Sequence, residues 1–338
     1  MDKINSDQPA RSKPAMRQHI FSIIKFFVSA GLIFWLLQRI GIQNVSKQIS
    51  HANWKWILAG ILAFSSSNLL GAFQWYLLLR LKGIQLSFWR VVSYYHVGLF
   101  FNNFLIGYVG GDAFRIYDVR RSSGDTMNAF STVLFDRFVG FFTLTMLAMV
   151  VSLGWINNFT SLVTIITIAA IFFGWILGIL FFLNESFARK FAWLLTRILP
   201  PFVTDKLRDL YFEINRFRHN KKMLVKIFAI SLAVQSLRVC THILTARSIG
   251  VHVHAIYFFV FVPIIAMAAS LPISLGGIGV REQSGVTLFA QVGVPSTAVV
   301  VFEFLAYLVG VVATIPGGII FALRKEKLHT RVDQKELV

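Results

Sequence analysis

Asn102-Asn103-Phe104-Leu105-Ile106-Gly107-Tyr108-Val109-Gly110-Gly111-Asp112-Ala113-Phe114-Arg115 is the stretch that decides the fold. An apolar run breaks in glycines and is followed by a carboxylate and a guanidinium three residues apart. Far downstream, Pro272-Ile273-Ser274-Leu275-Gly276-Gly277-Ile278-Gly279-Val280-Arg281-Glu282 follows the same plan. In greasy surroundings such breaks are tolerated only where the backbone is buried in protein or lines a cavity. The two stretches therefore read as two halves of one buried site.

The surroundings are greasy. Of 338 residues, 56% are hydrophobic and 14% charged, with a mean hydropathy of +0.67, against about 25% charged in a soluble domain. The apolar residues come in blocks of about 20, the length that crosses a bilayer as a helix. The fold class that follows is an all-α polytopic membrane protein, with about six full transmembrane helices plus two re-entrant or broken helical hairpins in an inverted repeat. A net charge of +18 would suit a nucleic-acid binder. The basic residues instead sit in the connections between apolar blocks, as the positive-inside bias requires, so no nucleic-acid partner is expected. Cys240 is the single cysteine, which excludes an intramolecular disulfide and a cysteine metal cluster. His252 and His254 have no third ligand nearby, and neither a metal nor a cofactor is expected. The first apolar block, Phe21 to Leu37, lacks a small-residue cleavage site and reads as a retained anchor.

In chain order, residues 1–19 read as a disordered basic cytoplasmic tail. One transmembrane domain covers 20–323, with halves of about 20–152 and 161–323, and a second basic tail covers 324–338. Full spans are expected at 20–38, 54–79, 128–152, 161–183, 223–246 and 296–323. The short apolar segment 91–106 reads as re-entrant, and 112–127 as a charged loop. The stretch 256–294, interrupted by Pro263, Pro272 and glycines, reads as the second hairpin. Between spans, 184–222 carries nine Lys or Arg against four Asp or Glu, with apolar residues at helical spacing. That pattern fits amphipathic helices on an anionic leaflet, or equally a solvated helical loop packed on its own protein.

Charge sets the topology. With both termini inside, the cytoplasmic side holds five Lys or Arg at 1–25, three at 80–90, three at 112–127, nine at 184–222 and five at 323–338. Only Arg39, Lys47, Lys55 and Arg247 lie outside, and Arg137, Lys226, Arg238 and Arg281 fall within membrane segments. The segment 91–111 then enters and leaves on the cytoplasmic side, and 256–294 on the outer side. Such an inverted arrangement builds substrate sites from broken helices near the midplane.

The candidate substrate-binding residues are Asn102, Asn103, Gly110, Gly111, Asp112 and Arg115 in the first half, with Asp136 and Arg137. Gly276, Gly277, Arg281 and Glu282 are their counterparts in the second. Free N–H groups at helix starts attract anions, and arginines add bidentate phosphate donors; glycines that merely permit close helix packing are the structural alternative. Asp136-Arg137, set inside a span, reads either as a substrate or coupling-ion contact or as a brace paired with Arg115, Asp112 or Arg281. Glu282 and Glu303 are candidate proton carriers. Arg238 and His242 share one helical face turned inward, where His242 reads as a hydrogen-bonded core residue. The sequence has no phosphate-cradling loop, nucleophile elbow or zinc-protease signature, so no catalytic residue is proposed and the reading leans away from an enzyme.

These stretches resemble the lysylphosphatidylglycerol synthase transmembrane-region, or flippase-like (UPF0104-type), family of integral membrane proteins. The matching residues are Asn102-Asn103, Gly110-Gly111-Asp112 with Arg115, Asp136-Arg137, the run from Pro272 to Glu282, and Pro316-Gly317-Gly318. The family usually has proline near position 106, and many members carry arginine at 303; this chain has Ile106 and Glu303. In two-domain members this region looks like a lipid flippase beside a soluble aminoacyl-transfer domain, and no such domain or aminoacyl transfer is expected here. The resemblance implies a lipid translocase moving a phospholipid or lipid-linked head group across a bacterial inner (cytoplasmic) membrane. The alternatives are a non-transporting accessory subunit of a lipid or glycan biosynthetic enzyme and, last, a membrane-embedded transferase. Expected partners are membrane lipids, with room for a biosynthetic enzyme or an oligomer.

Overall fold

A computed structural model describes residues 50–103, 109–154, 220–270 and 279–323, together with Tyr211, Gly277 and short pieces between 165 and 177. Every regular element in them is helical: α1 Trp54–Leu81, α2 Phe88–Asn102, α3 Val109–Ser123, α4 Thr126–Gly154, α5 Lys221–Ser248, α6 Ala255–Ser270, α7 Val280–Phe289 and α8 Ser296–Leu323. A 3-10 turn, Ala290–Val292, follows α7. The protein is an all-α membrane protein.

Four of these helices, α1, α4, α5 and α8, have 28 or 29 residues and are apolar enough to cross a bilayer, at about 42 Å each. They match the spans expected at 54–79, 128–152, 223–246 and 296–323 within two residues at each end. The span expected at 20–38, both tails and nearly all of the segment 184–222 lie outside the described residues, and of the span expected at 161–183 only short helical pieces are described.

The long helices are built for lipid. In α8 the outward stripe is Leu308, Val312, Ile315 and Ile319, one helical face left exposed. The inward faces carry the polar side chains: Ser67, Asn68 and Gln74 on α1, and Thr132, Asp136 and Thr143 on α4, are all buried. In water this would be inside out. In hydrocarbon it is the arrangement that satisfies polar groups against protein.

The charged stretch 112–127, read as a loop, is instead helix through Ser123; only Gly124 and Asp125 form the turn. Residues 112–123 contain no proline or glycine, Asp112 sits in the first turn and Arg120 and Arg121 in the last, which suits the helix dipole. Val119, fully buried, and Ile116 pack into the core beside α2. Gly110 and Gly111 therefore lie in the first turn of α3, not in a loop before it.

The order long, short, short, long occurs twice. α1 and α5 are both 28 residues, and both bounds shift by 167 positions, from 54 to 221 and from 81 to 248. Left-handed glycines punctuate both copies at matching places: Gly83 (φ 75°) and Gly250 (φ 78°) after the first helix, Gly124 (φ 75°) and Gly293 (φ 75°) before the last.

The copies run in opposite directions. The Asn53 N–H donates to the Ser248 carbonyl at 2.7 Å, so α1 starts where α5 ends. Further along, Arg247 lies over Trp56, Arg238 over Phe64 and Lys226 over Phe73. One number rises as the other falls. Packing obeys the same exchange: α2 lies on α8 as α6 lies on α4, and α3 packs with α4 as α7 packs with α8. The halves are thus related by a pseudo-two-fold axis, in the inverted manner of secondary transporters.

Candidate functional site

A cavity of about 240 Å³ opens between the halves. Its walls come from the middle of each long helix, from Phe64 to Gln74 on α1, Asp136 to Leu144 on α4, Ser231 to His242 on α5 and Ala306 to Thr314 on α8. In helices that cross the bilayer, those positions sit near its midplane.

Half one closes its side of the cavity with a paired network. Arg115 donates from Nη2 to Asp136 Oδ2 at 2.8 Å and from Nη1 to Asp112 Oδ1 at 3.3 Å. Arg137 donates from Nε to Asp112 Oδ2 at 2.7 Å and from Nη2 to Oδ1 at 3.1 Å, a bidentate fork. Gln74 Nε2 donates to the other Asp136 oxygen at 2.8 Å. Two carboxylates meet two guanidiniums, so the cluster is neutral as a whole. The Arg115 guanidinium also lies 4.1 Å from the Trp75 ring centre and 4.6 Å from that of Tyr95, a stack that suits its planar, weakly hydrated group. Asp136-Arg137 thus braces α4 to α3 within one half; Arg281 takes no part in these ion pairs.

The backbone makes the network possible. Asn102 Oδ1, at the end of α2, accepts the Gly111 N–H of α3 at 2.9 Å. A Cβ on Gly111 would overlap the Gly98 carbonyl oxygen, so α2 and α3 approach as closely as glycine allows. Asn103 Nδ2 reaches the other half, donating to Thr314 Oγ1 at 2.7 Å. Gly317 lies against the His96 carbonyl in the same way, which seats α2 on α8.

In half two, Glu282 does not face the cavity. It is buried and turns back to accept the Gly279 N–H at 2.6 Å, the reciprocal half of a capping box at the start of α7, whose N-cap glycine has no side chain to supply the other half. Gly277 (φ 77°) and Gly279 (φ 83°) supply the left-handed backbone before that helix, and Gly276 lies outside the described residues. Arg281 lines the cavity, 5.6 Å from the Tyr307 ring centre. Glu303 is fully buried behind the wall, 3.1 Å from His242 Nδ1, and His242 itself faces the cavity.

A protein-family model for the lysylphosphatidylglycerol synthase TM region matches residues 22–318. The chain belongs to that family. A UPF0104 membrane protein of Methanothermobacter thermautotrophicus is 24% identical over 331 residues, covering 91% of this chain and 94% of the relative. One from Pyrococcus horikoshii is 26% identical over 341 residues, covering 93% and 98%.

Of the residues singled out from the sequence, Asn102, Asn103, Arg115, Asp136, Arg137 and Arg281 line the cavity, and Gly110, Gly111, Asp112, Gly277, Glu282 and Glu303 do not. Sequence reasoning passed over Gln74, Tyr95, Gln235 and Arg238 as site members. The signal was there: Ser231, Gln235, Arg238 and His242 recur at steps of four, three and four, a polar stripe on one helical face.

The lining obeys the internal repeat. By the shifts between the starts of α2 and α6 and of α4 and α8, Asn103 corresponds to Ser270, Gly140 to Gly310 and Leu144 to Thr314, and all six line the cavity. The cavity therefore lies on the pseudo-two-fold axis. Its chemistry does not obey the axis. Asp136 and Arg137 correspond to Ala306 and Tyr307, and Gly71 corresponds to Arg238. Among the described lining residues each half supplies two guanidiniums, Arg115 and Arg137 against Arg238 and Arg281, but half two lacks the carboxylate.

Proposed function

We propose that the protein translocates a lipid with an anionic, phosphate-bearing head group across the cytoplasmic membrane, with both termini on the cytoplasmic side. The observation that carries this reading is the cavity at mid-bilayer, lined by four arginines and one carboxylate and placed on the axis that relates two inverted halves. Inverted halves that rock about such a site give alternating access from the two leaflets. At about 240 Å³ the cavity is smaller than a site for a drug-sized ligand. It has room for a head group, and the acyl chains remain in the bilayer. Charges at this depth cost free energy and are kept where a substrate or an ion needs them.

The test is translocation in proteoliposomes carrying head-group-labelled phosphatidylglycerol, phosphatidylethanolamine or a glycolipid, compared with Arg281→Gln. Wild type moves the anionic lipid above the rate in protein-free vesicles, and the variant, folded, moves it at least tenfold more slowly. Folded wild type that moves none of the three lipids removes the transport reading and leaves the accessory-subunit alternative in its place.

A further inference from the structure

We infer that the cavity holds a discrete phosphate-binding subsite on half two, formed by Arg238 and the Nε2 side of His242, and that the first-half pair Arg115 and Arg137 is not its anchor. The inference rests on the transport reading for its biological setting and on the geometry alone for the site.

Four arginines line the cavity. Arg115 is committed to both Asp136 and Asp112 and Arg137 to Asp112, so each already faces a carboxylate of the protein. Arg238 differs. It makes no ion pair among the described residues, and its guanidinium rests 5.9 Å from the Phe64 ring centre; its buried Nε, like that of Arg115, has no hydrogen-bond partner. A cation held near the midplane on an aromatic face, at the wall of a cavity, is a charge waiting for an anion.

The neighbouring turn of α5 completes the subsite. His242 is four residues on, over the same face, and also lines the cavity. Its Nδ1 is engaged by Glu303, so Nε2 is the ring nitrogen left for a ligand. The pseudo-two-fold axis shows that this cradle belongs to half two alone. The counterparts of Arg238 and His242 in half one are Gly71 and Trp75, and both are filled by packing: Gly71 lies under the Tyr95 hydroxyl, and Trp75 stacks on Arg115. A guanidinium fork one turn from an imidazole Nε2 matches the oxygens of a phosphodiester or phosphate monoester where that nitrogen carries a hydrogen to donate.

The experiment measures binding to the full-length protein in detergent micelles by titration of dioctanoyl phosphatidylglycerol, with dioctanoylglycerol as the uncharged control and inorganic phosphate as competitor. Arg238→Gln is expected to weaken the phospholipid by roughly ten- to hundredfold, the scale of one charged hydrogen bond. Arg238→Lys falls between, and dioctanoylglycerol binds all three proteins alike. Phosphate that competes as well as the lipid supports the subsite and assigns it to a free anion; phosphate that competes weakly assigns it to a lipid head group. In wild type, phenylglyoxal modification of Arg238, read by mass spectrometry, is suppressed by saturating phospholipid, which tests the site without a substitution. Unchanged affinity in folded Arg238→Gln, or an Arg238 that stays equally reactive under saturating lipid, overturns the inference. Binding that depends on Arg238 without any lipid movement in vesicles leaves the subsite standing and removes the transport reading.

Discussion

Replacing Arg115 by methionine tests whether the first-half network is structural. Arg115 is 2% exposed and Asp136 7% in their side chains, so water screens this pair little. The substitution removes the 2.8 Å bond to Asp136 and the 3.3 Å bond to Asp112, and the contacts with Trp75 and Tyr95. Asp112 keeps Arg137, whereas Asp136 keeps only Gln74. Breaking a buried pair from one side costs about 3–5 kcal/mol, because the remaining charge is left uncompensated. That is roughly two to four powers of ten in the unfolding equilibrium. The same reasoning makes the double substitution Arg115→Met with Asp136→Leu far milder, since a buried ion pair exchanged for apolar groups is often neutral or better. The loss that remains is the Gln74 amide without its acceptor, about 1–3 kcal/mol. The assay is unfolding in mixed micelles followed by tryptophan fluorescence, with Trp75 beside the substituted side chain. A single variant within about 1 kcal/mol of wild type, or a double variant as poor as the two singles added together, refutes the assignment.

Three further outcomes follow from the packing. Gly111→Ala pushes a methyl into the Gly98 carbonyl and Gly317→Ala into the His96 carbonyl, so both are expected to prevent recovery of folded protein; Gly124→Ala, with open space around it, costs about 1–2 kcal/mol for its left-handed backbone. Size-exclusion profiles in detergent check all three, and a well-folded Gly111→Ala contradicts the close approach of α2 and α3. Asn102→Ala removes the acceptor of the Gly111 N–H and lowers stability by about 1–3 kcal/mol in the same unfolding assay, an effect absent from Asn128→Ala at the exposed end of α4 if the buried bond is what matters. In a Cys240→Ser background, Gly124→Cys is labelled by an impermeant maleimide only after the cytoplasmic face is opened, and Gly250→Cys from outside; labelling of both from one side overturns the topology.

Composition was enough to read the long helices: apolar blocks near 20 residues have few alternatives in a chain this greasy, and α8 was legible to the residue. The hairpins were legible as interruptions but not in detail. The stretch 112–123 looked like a loop because its charges are many, yet those charges cap a helix whose other side, at Ile116 and Val119, is buried. Pairing was harder still. Nothing in the spacing of Asp112, Arg115, Asp136 and Arg137 says that they neutralise one another within one half, and Arg281 was an equal candidate until the inverted packing placed it across the cavity. Arg238 was visible as an inward charge but had no motif around it. Its importance comes from what its counterpart, Gly71, lacks, and that comparison needs the register of the repeat, which structure supplies and weak similarity between halves does not.

The cost of that one arginine is the strongest physical argument for an anion in the cavity. A guanidinium at the centre of a membrane helix costs about 2.5–3.5 kcal/mol on insertion scales. The same cavity shows the ordinary remedy at Arg115 and Arg137, each set against a carboxylate. At the half-two position equivalent to Asp136 the chain has Ala306 instead, and the nearby Glu303 and Glu282 are turned to His242 and the Gly279 N–H. These two buried carboxylates are thus bonded elsewhere, and neither lines the cavity. A protein that needed only a stable wall would gain by turning one of them toward Arg238. Leaving the guanidinium unpaired makes sense where a second anion arrives from outside the chain, and the head group of a phospholipid is the anion that membrane surroundings supply at high concentration.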